Sequence, residues 1–330
     1  MSTVDEHGGA LDAMRRRFPN APKPWVDLST GINPWPWPWA GREFAGLHRL
    51  PTRLDRERCA AAMAGAFGLP ERAVGVAPGS ELLIHLLPTL LQPRRIAVLA
   101  PSYGDHARVW GAAGIEVTET SDPLAEAGKA DAVVICNPNN PDGRRFPAAQ
   151  IEAARCRLGK RSGWLIIDEA FADLEPGLSS APRIPAGNLL VLRSTGKFFG
   201  LPGLRLGALL GPPEFLQLLA QRLGGWSVST PALAIGAAAY ADRAWQSATR
   251  RRLAQARQRL DRVLLAGPCR VVGGTDLFRY VEVPDAHGLW RRLSDQGIYV
   301  RRFPWSRTHL RIGLPKDAAA EARLQAALSA

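Results

Sequence analysis

Lysine is scarce in this chain. There are five, Lys23, Lys129, Lys160, Lys197 and Lys316, among 42 basic residues. Arginine carries the rest of the positive charge, so a lysine set among apolar neighbours reads as one that chemistry requires. An amine can form a Schiff base with a carbonyl, and a guanidinium cannot. Cysteine is scarce too. Cys59, Cys136, Cys156 and Cys269 are scattered, and no pair has metal-ligand spacing. That excludes a cysteine-built metal site or a disulfide framework, and it predicts reduced thiols in a cytoplasmic protein. No metal is expected. No apolar run approaches the length of a bilayer span, so no membrane association is expected. Met1 to Gly9 is polar and acidic, unlike a signal peptide. Internal repeats are absent.

Two nucleotide-binding signatures are missing. Gly196-Lys197 is followed by Phe198, where a P-loop needs Ser or Thr for magnesium, and Val191 stands where its first glycine belongs. No Gly-x-Gly-x-x-Gly follows a strand, so a dinucleotide fold lacks its fingerprint.

What is present is a chain of 330 residues, enough for a large core and two domains. Its apolar content of 46% and charged content of 22% are ordinary for a globular protein. The net charge of +12 points towards an anionic substrate or partner. Its basic residues are dispersed. Arg15-Arg16-Arg17 and Arg250-Arg251-Arg252 are short runs in helix-like segments and read as solvated faces. No nucleic-acid-reading motif accompanies the charge, so nucleic acid is not an expected partner.

Residues 1–38 read as an N-terminal arm. Its end, Trp35-Pro36-Trp37-Pro38-Trp39, cannot be regular helix or central strand, because proline lacks the donor and fixes its own backbone. Arg56 to Phe67 reads as a helix. Apolar runs follow at Arg95–Leu99, Ala132–Cys136, Trp164–Ile167, Leu189–Leu192 and Arg205–Leu210, separated by helix-like segments. Buried strands alternating with helices predict an α/β domain over 39–225 with a mainly parallel sheet. Residues 226–330 read as a smaller α+β domain. It comprises a long, alanine- and arginine-rich helical stretch over 231–265, a strand at Phe278–Val283, a short helix, strands at Ile298–Val300 and His309–Ile312, and a closing helix from Lys316.

Four segments fall at strand ends. Pro78-Gly79-Ser80-Glu81 opens a helix, and small residues there expose backbone N–H groups suited to phosphate. Asn137-Pro138-Asn139-Asn140-Pro141-Asp142-Gly143 is a turn after a buried strand. Ile167-Asp168-Glu169-Ala170-Phe171 places an acid at the end of an apolar strand. Arg193-Ser194-Thr195-Gly196-Lys197 follows the run Leu189–Leu192, where α/β folds place their ligands, and Arg205 lies just beyond.

In this order the four segments resemble the fold type I family of pyridoxal-phosphate enzymes, the aspartate aminotransferase superfamily, from about His7 to Pro315. The resemblance implies a seven-stranded sheet in the large domain, and that Lys197 holds the cofactor covalently. Asp168 is implied to pair with the pyridine nitrogen, Asn140 to bond the ring hydroxyl, and Tyr103 to stack on the ring. Gly79 and Ser80, with Glu81 beside them, form the helix start that takes the phosphate, helped by Ser194 and Arg205. Arg311 in Leu310-Arg311-Ile312 matches the arginine that clamps the substrate carboxylate.

Finer features look like one branch, the L-threonine-O-3-phosphate decarboxylases of cobalamin synthesis. These are His7-Gly8-Gly9, Asp27-Leu28-Ser29-Thr30-Gly31-Ile32-Asn33-Pro34, Phe171, Trp226-Ser227-Val228-Ser229 and Ala244-Trp245-Gln246. The branch implies that His7 and Arg301 contact the substrate phosphate and that Asn33 lies over the cofactor. Arg301 and Arg302 are adjacent, and sequence does not say which points inward. Leu50-Pro51 departs from the Tyr-Pro of many relatives, whose tyrosine reaches the neighbouring subunit's cofactor phosphate. Asp142 replaces the usual Thr of the asparagine turn, which turn geometry accommodates. The resemblance thus implies a homodimeric decarboxylase of a small phosphorylated amino acid. A histidinol-phosphate aminotransferase and a catalytically silent relative are the alternatives. Lys197, Asp168 and Asn140 being intact argues against the silent one.

Overall fold

The computed structural model describes residues 8–39 and 46–329. The chain divides into two compact units. The larger takes Trp37–Asn140 and Arg144–Trp245, and the smaller takes the chain up to Pro36, Pro141–Gly143 and the chain from Gln246 onward.

In the smaller unit the chain starts with helix α1 (Leu11–Arg17) and the short strand β1 (Val26–Leu28). The larger unit follows with α2 (Arg53–Phe67), β2 (Val74–Ala77), α3 (Ser80–Leu91), β3 (Arg95–Leu99), α4 (Asp105–Ala112) and β4 (Glu116–Thr120). It continues with β5 (Ala132–Cys136), α5 (Ala148–Gly159), β6 (Trp164–Asp168), β7 (Leu189–Ser194), β8 (Gly207–Leu210), α6 (Pro213–Leu223) and α7 (Thr230–Ala241). Its seven strands form one sheet in the order β2-β8-β7-β6-β5-β3-β4. Only β8 runs against its neighbours, so the sheet is mainly parallel, as the apolar runs predict.

Every residue of β5 is buried. Continuous apolar strands of this kind belong to sheets covered on both faces. Leu83, Ile84 and Leu87 of α3 and Val109 and Trp110 of α4 pack with Val98, Val134, Ile166, Leu190 and Leu192 of the sheet. Because β5, β6 and β7 are parallel, Asn137, Asp168 and Ser194 all emerge at the same edge of the sheet. This is the edge where open α/β folds bind ligands.

The stretch 231–265 is helical, as expected, and consists of two helices. Asp242 ends α7, and its Oδ1 accepts the Trp245 N–H at 2.9 Å. A short acid that bonds nearby backbone competes with the helix ladder and restarts it as a new cap. The second helix is α8 (Arg243–Leu265). The division also falls at Trp245/Gln246 rather than after residue 225. The physical reason is that α7 packs on α2. A Cβ added to Gly236 would lie 2.2 Å from Leu206 Cδ2 and 3.2 Å from Cys59 Sγ, so the contact depends on a glycine.

From α8 the smaller unit continues with β9 (Arg270–Thr275), β10 (Phe278–Glu282), α9 (Ala286–Asp295), β11 (Ile298–Arg302), β12 (His309–Gly313) and α10 (Ala318–Ser329). Its five-stranded sheet has the order β1-β11-β12-β10-β9. The N-terminal segment, read from sequence as an arm, adds β1 to this sheet, parallel to β11.

Candidate functional site

In the larger unit, the sheet edge carries an acid, a histidine and a tyrosine in contact. Asp168 is 5% exposed at the end of β6. Its Oδ1 accepts the Ala170 N–H at 2.9 Å, and its Oδ2 lies 3.1 Å from Nε2 of the buried His106. The His106 ring meets the Tyr103 ring edge-on at 5.9 Å. Tyr103 donates its hydroxyl to Glu81 at 2.8 Å. Burial, reinforced by Asp105 and Glu81, raises the phenol well above its ordinary pKa, so Tyr103 is a neutral ring.

The lysine segment continues β7. Ser194 pairs with Gly207 across the antiparallel β7–β8 ladder. A Cβ on Gly207 would stand 2.8 Å from Ser80 N. Gly79, which caps α3 with φ +90, is equally close to Arg205: its Cβ would lie 3.0 Å from the guanidinium. Gly79, Ser80, Ser194 and Arg205 are therefore brought together around the first turn of a twelve-residue helix, where free N–H groups and a guanidinium favour an anion. Lys197 is half-buried, with Nζ 5.6 Å from the centre of the Phe171 ring. Thr195 N and Oγ1 both donate to Leu206 O, at 3.2 and 2.7 Å, which closes the loop that carries Lys197.

Asn140 is half-buried after β5. Its neighbour Asn139 is fixed by three bonds: Oδ1 accepts from Ser102 at 2.7 Å, Nδ2 donates to Pro101 O at 3.1 Å, and N donates to Arg144 O at 2.8 Å.

In the smaller unit, Arg301 and Arg311 stand directly opposite each other on β11 and β12. Arg302 packs its guanidinium 4.5 Å over the Trp290 ring of α9, so the residue beside Arg311 is Arg301. Arg311 is 7% exposed and donates to Ser29 O at 2.6 Å. Burial, then the charge of Arg301, push its pKa down to about 9. Two such neighbours form a cationic pair that an anion would relieve. Asn33 is buried, and its Oδ1 accepts the Trp35 N–H at 2.9 Å. His7 lies outside the described residues.

The model of the family "Aminotransferase class I and II" matches residues 50–326. The chain belongs to that family. It is 40% identical to a threonine-phosphate decarboxylase of Sinorhizobium sp, with 100% of this chain and 99% of the relative aligned. It is 41% identical to a threonine-phosphate decarboxylase of Pseudomonas aeruginosa, covering 98% and 97%. Among solved structures, the histidinol-phosphate aminotransferase of Sinorhizobium meliloti in complex with pyridoxal-5'-phosphate superposes with a TM-score of 0.85. It is 22% identical and covers 96% of this chain and 92% of that one. That likeness is one of fold.

Sequence reasoning missed His106, Glu169 and Arg193. A signal for His106 existed, since it stands three places after Tyr103 at a helix start, where such residues share a face. Glu169 and Arg193 had none beyond being charges next to apolar strands. Among the described residues there is no cluster of three metal-type ligands, and no helix is long and apolar enough to cross a membrane.

Proposed function

We propose that this family member is a pyridoxal-phosphate-dependent decarboxylase that converts L-threonine O-3-phosphate to (R)-1-aminopropan-2-yl phosphate and CO2, a step of cobalamin biosynthesis. The observation that carries the substrate class is the Arg301–Arg311 pair, two adjacent cations suited to a small molecule with two anionic groups. Identity of 40–41% to threonine-phosphate decarboxylases over essentially the full length of each supports the reaction. A homodimer in the cytoplasm is part of the same reading.

The residues present fit the cofactor. A Cβ at Gly79 would lie 3.0 Å from the Arg205 guanidinium and one at Gly207 2.8 Å from Ser80 N, so side chains at these two positions would crowd the helix start and the guanidinium that suit a phosphate. Lys197 would hold pyridoxal phosphate, which when bound would supply an electron sink for the pair released at Cα. Gly79, Ser80, Ser194 and Arg205 hold the phosphate. Asp168 keeps a proton on the pyridine nitrogen, and His106 orients Asp168. Asn140 bonds the ring hydroxyl, and Tyr103, with Glu81 holding its hydroxyl, covers the ring. Arg311 takes the substrate carboxylate in a two-pronged bond, while Arg301, with His7, takes the substrate phosphate. Asn33 would be a further substrate-binding residue of the smaller unit. The arginine grip would fix the orientation of the substrate's bonds at Cα, and so favour loss of the carboxylate over loss of the Cα proton.

The test is to supply L-threonine O-3-phosphate to the cofactor-loaded protein and identify the product by mass spectrometry. Loss of CO2 with retention of the amino group is expected. A keto acid would identify an aminotransferase instead.

A further inference from the structure

A buried ion cluster that the proposed mechanism does not use lies next in sequence to the cofactor residues. Arg193, 2% exposed on β7, donates through Nη1 to Glu169 Oε2 at 2.8 Å and through Nη2 to Asp173. Glu169, 0% exposed just past β6, also accepts the Ser179 hydroxyl and the Ser180 N–H, each at 2.6 Å. The Phe67 ring lies 4.4 Å from the Arg193 guanidinium carbon. Burial alone would lower the Arg193 pKa, but Asp173 and Glu169 outweigh it and hold the guanidinium above its ordinary value.

The position of this cluster matters because strand side chains alternate. On β6 and β7, Asp168 is registered with Leu192, and the Glu169 N–H donates to Leu192 O at 3.0 Å. Asp168 and Ser194 therefore point to one face, and Glu169 and Arg193 to the other. The ion pair joins the two strand ends from behind, at the residues adjacent to Asp168 and Ser194. The Lys197 loop leaves from this point, and its other end is held by Thr195 on Leu206 O. An apolar pair would hold the strands together as well or better. What a guanidinium fork between two carboxylates adds is a fixed angle and spacing.

We propose that Arg193 and Glu169 are positioning residues for the cofactor. Their clamp sets the spacing of the β6 and β7 ends, and through it the reach of Asp168, Ser194 and Lys197. This inference rests on the cofactor reading above, so that reading is checked first. Borohydride reduction of the wild-type holoprotein should leave a covalent adduct on Lys197, and its absence would overturn the reading rather than the clamp. Arg193→Lys, Glu169→Gln and Ser179→Ala are then compared as folded apoproteins by titration with pyridoxal phosphate, following the visible band. Arg193→Lys keeps the charge but not the fork, and should weaken cofactor binding about tenfold, the scale of a lost charged hydrogen bond. Glu169→Gln should do the same. In both, kcat should fall with the substrate KM little changed. Ser179→Ala, at a half-buried position, keeps the clamp testable should the other two fail to fold, and it should show a smaller loss in the same direction. Cofactor affinity and kcat within twofold of wild type in every folded variant, with only the melting temperature altered, would overturn the proposal.

Discussion

Arg301 and Arg311 occupy one cross-strand pair, and the separate duties proposed for them can be told apart by substrate. Charged hydrogen bonds to carboxylate or phosphate contribute about 1.5–3 kcal/mol each. Arg301→Ala should therefore lower kcat/KM for L-threonine O-3-phosphate by roughly ten- to a hundred-fold, and scarcely alter the weak handling of unphosphorylated threonine. Arg311→Ala should lower both and loosen the choice of Cα bond, seen as keto product beside amine. Equal losses on the two substrates in Arg301→Ala would remove Arg301 from phosphate reading. At Asp168 the argument concerns charge rather than reach. Asp168→Asn keeps the shape but removes the charge proposed to hold a proton on the pyridine nitrogen, so turnover should fall far more than stability. Near-wild-type turnover of the cofactor-loaded variant would sink that pairing. Lys197 and Asp168 were legible in the sequence because each is a polar residue standing where an apolar strand ends. His106 and Arg193 were not, because their partners, Asp168 and Glu169, are distant in sequence and meet them only once the sheet has formed.

Among the elements, the strands that announced themselves are those buried on both faces. Ala132–Cys136 and Arg95–Leu99 match their apolar runs. Glu116–Thr120 did not, because an edge strand with one neighbour carries no continuous apolar run. The break at Asp242 was hidden by an alanine- and arginine-rich sequence that suits helix on both sides. The glycine in α7 was equally silent, and it carries a prediction. A methyl on Gly236 must displace Leu206, whose carbonyl accepts both bonds from Thr195. Overpacking of this kind costs about 1–3 kcal/mol. Gly236→Ala should lower the urea midpoint accordingly, and should also weaken pyridoxal phosphate binding through the Arg205–Leu206 segment. Unchanged stability would mean that Leu206 moves aside freely.

For the molecule as a whole, the Trp-Pro run is where the chain passes from one unit to the other. The prolines excluded regular structure, but nothing in the sequence said what the tryptophans do, because their partners are remote. Trp35 belongs to the smaller unit. Its N–H donates to Asn33, its Nε1 donates to Lys316 O at 3.0 Å, and Arg252 lies 4.0 Å over its ring. Trp37 belongs to the larger unit. It is 8% exposed, its N–H donates to Phe199 O at 2.9 Å, and its Nε1 donates to Asp242 Oδ2 at 3.2 Å. Phe199 itself stacks on Trp245 at 5.7 Å, in the aromatic cluster that follows Lys197. Removing a buried tryptophan costs about 3–5 kcal/mol. Removing the half-buried Trp35 forfeits a cation–π contact and a solvent-exposed bond, about 1–2.5 kcal/mol together. With a urea dependence of about 1–3 kcal/mol per molar, Trp37→Ala should bring forward the loss of the bound cofactor's visible band by more than about 1 M urea. Trp35→Ala should move it by less, and Trp37→Phe should fall between them, since it keeps a ring but loses the bond to Asp242. Equal shifts for Trp35→Ala and Trp37→Ala would mean that the two tryptophans do not serve different units.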